Sequence, residues 1–115
     1  MKLSNKFTTL KNLSNYIKNG TSIGIGGHHF ARLPIALINQ VLRNNPKNLE
    51  YISWAGGLAL ELFIQKKSLK KIQLCFSSLD IFGLAPSFRK ICEEKSIPVV
   101  DWTALGLIKA LRAGQ

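Results

Sequence analysis

Asn19-Gly20-Thr21-Ser22-Ile23-Gly24-Ile25-Gly26-Gly27-His28-His29-Phe30-Ala31-Arg32-Leu33-Pro34 is the stretch on which the reading of the fold depends. Gly20 fits the left-handed cap position after a helix ending near Asn19. Ile23 and Ile25 supply the apolar side chains of a short buried strand. Gly26-Gly27 lets the chain turn sharply and leaves backbone N–H groups that no side chain covers. Pro34 then suits the first turn of a new helix. Helix stop, strand, glycine turn and helix start are the parts of an α/β unit. Open α/β sheets bind ligands beyond the C-terminal ends of their strands, where this turn would lie.

Working outward, the chain alternates helix and strand. Apolar spacing predicts helices over 8–19, 33–44, 57–67, 86–95 and 104–113, and strands over 22–26, 49–54, 71–76 and 98–102. Leu10, Leu13, Tyr16 and Ile17 share one face of the first helix; Ile35, Ile38, Val41 and Leu42 face inward on the second. Pro86 opens the fourth helix, and Thr103 caps the fifth. Alternating elements of this kind predict an α/β domain over 1–115, with an open, mostly parallel sheet and helices on both faces. Its strand ends would gather Gly26–Phe30, Trp54–Gly57, Ser77–Asp80 and Trp102–Thr103 at one edge.

Composition narrows the function classes. At 115 residues one domain is expected. No run of 18 apolar residues is present, so no membrane span is expected. Lys2, Lys6, Lys11 and Lys18 interrupt any leader-like apolar run, and a cytoplasmic location is the expectation. The net charge of +10 divides as +6 over 1–50 and +4 over 51–115, spread rather than clustered. Without a basic stripe or an aromatic–basic motif, a nucleic-acid partner is not expected. Cys75 and Cys92 fall on separate elements, fit no zinc spacing and read as buried reduced thiols.

The opening stretch resembles the first signature of the family I coenzyme A transferases, in their α subunit. Asn19, Gly20, Gly26, Gly27 and Pro34 match its spacing; Gly24, His28 and Arg32 depart from it. Arg32-Leu33-Pro34-Ile35-Ala36, Lys47-Asn48-Leu49, Phe82-Gly83-Leu84-Ala85-Pro86-Ser87-Phe88-Arg89 and Ala110-Leu111-Arg112-Ala113 resemble later segments of the same chain type. Within the family, the sequence is most similar to the α chains of the glutaconate and 3-oxoacid transferases and of their ring-cleaving hydrolase relatives. Chains of that kind run well past this length. The resemblance therefore implies the N-terminal portion of an α subunit, or a truncated relative. It implies transfer of coenzyme A between an acyl-CoA and a carboxylic acid through a glutamyl-CoA thioester, with CoA as co-substrate and no other cofactor. The nucleophile sits in a Ser-Glu-Asn-Gly segment of a β subunit. This sequence has no Glu-Asn-Gly, so a partner β subunit is expected to supply the glutamate.

Gly26, Gly27, His28, His29, Phe30, Arg32, Ser77 and Asp80 are the candidate substrate- and CoA-binding residues. Arg32 could pair with a carboxylate or phosphate, and Ser77, Ser78 and Asp80 could hydrogen-bond a substrate, although solvent exposure and turn chemistry account for them equally. Adjacent histidines in an extended strand point to opposite faces, so His28 and His29 make a poor metal pair and no third ligand is evident. They read either as a structural pair or as one wall of an acyl pocket. A dinucleotide fingerprint fails because His29 stands where the third glycine belongs and Ser53-Trp54 where the acid belongs. An acyl-CoA hydrolase of the same fold and a non-catalytic α/β binding or assembly module remain the alternative functions.

Overall fold

The structure, a computed structural model, describes residues 7–114. Four strands, β1 (Ser22–Gly24), β2 (Leu49–Gly56), β3 (Leu69–Ser77) and β4 (Val99–Asp101), pair in chain order. All three pairings are parallel. The helices are α1 (Leu10–Ser14), α2 (Ile35–Arg43), α3 (Leu58–Gln65), α4 (Pro86–Glu94) and α5 (Ala104–Ala113). A 3₁₀ turn spans Asp80–Phe82. No helix among the described residues is long and apolar enough to cross a membrane.

One face of the sheet carries Ile23, Tyr51, Ile72 and Leu74. It is covered by Ile38, Val41 and Leu42 of α2, Leu60 and Phe63 of α3, and Ile91 of α4. Each such side chain, fully buried, stabilises the fold by about 1.5–3 kcal/mol. Helix α5 packs on β2 and β3 yet adds nothing to this core, because it lies over the opposite face. There Trp102 donates its indole N–H to Gln73 at 2.9 Å. Helices thus flank both faces, three on one and α5 on the other.

The opposite face also carries a polar ladder across β1, β2 and β3. Ser22 donates to Glu50 at 2.9 Å, Gln73 donates to it at 2.5 Å, and Lys71 pairs with it at 2.8 Å. These partners hold the Glu50 carboxyl down at about 2, well below the usual carboxylate range. Thr103 caps α5 as the sequence predicts, accepting from Gly106 N–H, and the structure adds a second cap at α1, where Thr9 accepts from Asn12 N–H.

Helix α1 is shorter than its apolar spacing predicts. It stops at Ser14, whose buried hydroxyl donates to the Lys11 carbonyl and accepts from the Asn44 amide. Leu10, Leu13 and Tyr16 stay exposed, and Ile17 alone of that set reaches the core. Gly20 does have a positive φ of 80°, but it caps no helix. Its N–H donates to the Lys47 carbonyl at 3.0 Å, while Lys47 N–H donates to the Asn19 side chain at 2.8 Å. This reciprocal pair aligns the approaches to β1 and β2. The thiols differ from expectation too: Cys75 is half-buried and Cys92 exposed, and desolvation pushes both thiols up.

Candidate functional site

Beyond β1 the chain folds back on itself. His28 N–H donates to the Ala31 carbonyl at 2.9 Å, and Ala31 N–H returns to the His28 carbonyl at 2.6 Å. The tight hairpin puts Gly27 at φ 109°, His29 at 47° and Arg32 at 58°. Side-chain-bearing residues in this region cost about 1–2 kcal/mol each. The two glycines differ in their surroundings. A Cβ on Gly27 would lie 2.6 Å from Leu33 Cδ2 and 3.0 Å from the Ala31 and Arg32 carbonyl oxygens. A Cβ on exposed Gly26 would meet nothing within 4 Å.

The positive φ at His29 overturns the premise that the adjacent histidines point apart. Their rings touch edge to face, with centroids 3.9 Å apart. His29 is buried, and its Nδ1 lies 3.0 Å from both the carbonyl and the hydroxyl oxygen of Ser78. Its own carbonyl accepts from Leu58 N–H, the first residue of α3. Gly57 permits that approach, since a Cβ there would lie 2.5 Å from the His29 oxygen. His28 stays exposed, its ring 5.8 Å from that of Trp54 and 6.0 Å from that of Phe76. Trp54 meets Phe76 edge to face at 5.1 Å, and Phe30 meets Phe82 at 5.7 Å.

The C-terminal edge of the sheet therefore brings together Gly26, Gly27, His28, His29, Phe30 and Arg32 with the segment after β3. Ser77 stands apart from them: its hydroxyl is buried beside Gly56, without a hydrogen-bond partner among the described residues. Asp80 is exposed, at φ 54°, and closes a turn by accepting from Gly83 N–H. Ser78 is the serine that reaches a histidine. Trp54, Phe76 and Phe82 complete the aromatic edge. Sequence spacing signals only the strand ends, not these contacts.

Charge is polarised along the strands. In a parallel sheet every segment leading into a strand meets the same edge. Lys18, Arg43, Lys47, Lys66, Lys67 and Lys95 therefore gather at the N-terminal edge. Cations spread along the sequence are clustered in the fold. Lys47 Nζ already serves the end of α3, donating to the Lys66 and Lys67 carbonyls. Arg32 is the single cation in the described loops of the C-terminal edge.

All four glutamates are committed elsewhere. Glu50 holds the polar ladder, and Glu93 and Glu94 pair with Arg89 and Lys90 along α4. Glu61, buried in α3, accepts from the Ser87 and Phe88 N–H groups at 2.9 Å each. It caps the first turn of α4 from a neighbouring helix, as a carboxylate at a helix N-terminus should. Nothing in the local sequence before Pro86 announces that cap.

Comparisons with known proteins agree with this geometry. The chain superposes on glutaconate coenzyme A-transferase from Acidaminococcus fermentans with a TM-score of 0.77, at 24% identity, over 84% of this chain and 31% of that one. A variant of the decarboxylase AibA/AibB superposes with a TM-score of 0.75, at 21% identity, over 82% of this chain and 37% of that one. An uncharacterized protein of Archaeoglobus fulgidus is 24% identical over 97 residues, 83% of this chain and 22% of its own length. The chain thus spans about a fifth of that relative and about a third of each solved neighbour. The family model described as coenzyme A transferase matches residues 7–114, and the chain belongs to that family.

Proposed function

We propose that this chain forms one wall of the acyl-CoA site of a coenzyme A transferase whose catalytic glutamate comes from a partner β subunit. The observation that carries this reading is the C-terminal edge. It holds the anchored signature turn and an aromatic surface, while every glutamate of the chain is engaged away from it. In this reading the partner's carboxylate attacks the thioester carbonyl of an acyl-CoA. The C–S bond breaks, CoA leaves as thiolate, and an acyl–glutamyl anhydride forms. The thiolate then attacks the glutamyl carbonyl, the first substrate's carboxylate leaves, and a glutamyl-CoA thioester remains. A second carboxylate reverses the sequence and departs as the new acyl-CoA. The chain's own part is to bind and orient. The open backbone at Gly26 approaches the thioester oxygen, His28 and Phe30 line the acyl group, and Arg32 faces a carboxylate or phosphate. Ser77 and Asp80 stay at the margin of this site.

The test pairs the chain with its β subunit, supplies acyl-CoA and an isotopically labelled carboxylate, and follows label into the thioester. Mass spectrometry then locates the CoA adduct. Exchange with the adduct on a glutamate of the partner supports the reading. An adduct on Asp80 overturns the assignment of the nucleophile. Thioester loss to water without exchange makes the protein an acyl-CoA hydrolase of the same fold, and release of carbon dioxide makes it a decarboxylase. No turnover of any kind leaves a non-catalytic binding or assembly module. The 115-residue chain by itself is expected to exchange nothing above background.

A further inference from the structure

We propose that His29 is a positioning residue: clamped by Ser78, it holds the 28–31 hairpin so that His28 and Phe30 stand against Trp54 and Phe82. The function proposed above is needed only for the kinetic consequence of this clamp.

Gly27 takes its positive φ freely, but His29 and Arg32 carry side chains there, a strain that two backbone hydrogen bonds between His28 and Ala31 would hold poorly. Such strain persists only where the surroundings over-determine it, and His29 supplies those surroundings. Its ring reaches the segment after β3, its carbonyl reaches the first N–H of α3, and its backbone rests against Gly57. Ser78 offers Nδ1 a carbonyl to accept and a hydroxyl to donate. The ring therefore keeps a partner whichever nitrogen carries the proton. His29 is 9% exposed while Phe30 is 44% exposed and His28 lies open. A buried anchor between two presented rings is what a loop needs to hold side chains toward a ligand without relying on them for its own shape.

The experiment measures amide hydrogen exchange and ring-to-ring nuclear Overhauser contacts in the full chain. His29→Phe keeps a ring of similar bulk and removes Nδ1. It is expected to speed exchange at Ala31 and Leu58 about tenfold or more, and to weaken the His28–Trp54 contact. Leu49 and Trp102, whose N–H groups bond across the sheet, should not change. His29→Asn tolerates positive φ and carries a side-chain donor, so it should recover most of the protection. Unchanged exchange at Ala31 and Leu58 in His29→Phe overturns the proposal. So does an equal rise at Leu49 and Trp102, which would mean a fold-wide effect. Should His29→Phe not fold, Ser78→Ala decides the matter. It removes one of the two clamp oxygens and should raise exchange at Ala31 and Leu58 by a smaller factor; no rise overturns the proposal. In the enzyme assembled with its partner, His29→Phe should lower kcat more than it changes KM, with rescue in His29→Asn. Normal kcat alongside lost protection overturns the positioning role and leaves the transferase reading intact. An unaltered enzyme without exchange activity refutes the transferase reading, while the amide data still decide the clamp.

Discussion

Gly26 and Gly27 are neighbours in one signature, yet the structure assigns them opposite sensitivities to a single methyl group. At Gly27 alanine must adopt φ 109°, which costs about 1–2 kcal/mol before any contact is counted. The new Cβ would also press on three atoms. Leu33 Cδ2, at 2.6 Å, can swing away; the Ala31 and Arg32 carbonyl oxygens, at 3.0 Å, cannot. The Ala31 oxygen accepts the hydrogen bond that closes the hairpin, so moving it opens the turn. Strain and crowding together give about 2–4 kcal/mol of destabilisation, a large part of the roughly 5–15 kcal/mol typical of such a domain. At Gly26 the same methyl meets nothing within 4 Å. Gly26→Ala is expected to be neutral, or up to about 1 kcal/mol stabilising through the narrower unfolded ensemble. Urea unfolding followed by circular dichroism measures both variants. With a slope of about 1–3 kcal/mol per molar, Gly27→Ala should lower the midpoint by roughly 1–2 M at unchanged slope. Two midpoints within error of each other would refute the argument from backbone geometry.

Three further outcomes follow from other parts of the structure. Gly26→Val should leave stability nearly intact yet slow the assembled enzyme about a hundredfold, equivalent to about 3 kcal/mol, if its backbone N–H steadies the thioester oxygen; full turnover would make the turn purely structural. Glu61→Ala strips two N–H groups at the start of α4 of their acceptor and should cost about 2–4 kcal/mol in the same urea assay, whereas a loss below about 0.5 kcal/mol would show that water replaces the carboxylate. Glu50 titrates at about 2 in the folded chain against 4.5 unfolded, so its contribution is fully present above about pH 4.5 and is lost as pH falls toward 2. That depression corresponds to at most about 3.4 kcal/mol, which the 39% exposure of the Lys71 side chain reduces to about 1–2 kcal/mol; Glu50→Gln should flatten the acid limb of stability against pH, and an unaltered limb counts against the ladder.

The order of elements was legible because strands in a parallel sheet read as short apolar runs separated by amphipathic helices. Ile23, Tyr51, Ile72 and Val99 fall in register as that reading requires. Pro86 and Thr103 mark helix starts by local chemistry alone and stand where expected. Interactions between distant residues were hidden. Glu61 caps a helix 26 residues further on, and His29 finds Ser78 at a separation of 49. Neither has a pattern that periodicity can detect. The relative direction of the two histidines is not legible, because alternation assumes extended backbone and a single left-handed residue at 29 cancels it. The basic edge escapes sequence reading for a different reason. Charge counted along the chain is evenly spread, and only the parallel topology collects the strand-leading loops at one end.

That polarity separates two kinds of work. At the N-terminal edge Asn19, Gly20 and Lys47 lock the approaches to β1 and β2, and Lys47 also closes the end of α3. The first two signature positions therefore serve register, far from the strand ends where chemistry would occur. At the C-terminal edge Gly27 and His29 fix the hairpin, leaving Gly26, His28, Phe30 and Arg32 open to solvent. A signature of this kind mixes residues that hold a loop with residues that the loop holds out. The distinction follows from φ, burial and hydrogen bonding, position by position. Substitutions at Gly27 or His29 should change stability and activity together, whereas those at Gly26, His28 or Phe30 should change activity alone. Three positions of this chain depart from the signature it resembles, Gly24, His28 and Arg32; all are exposed, and of the three Arg32 alone carries a side chain at positive φ, 58°. Exposed positions free of such backbone strain are where a family can alter what it binds without altering how it folds.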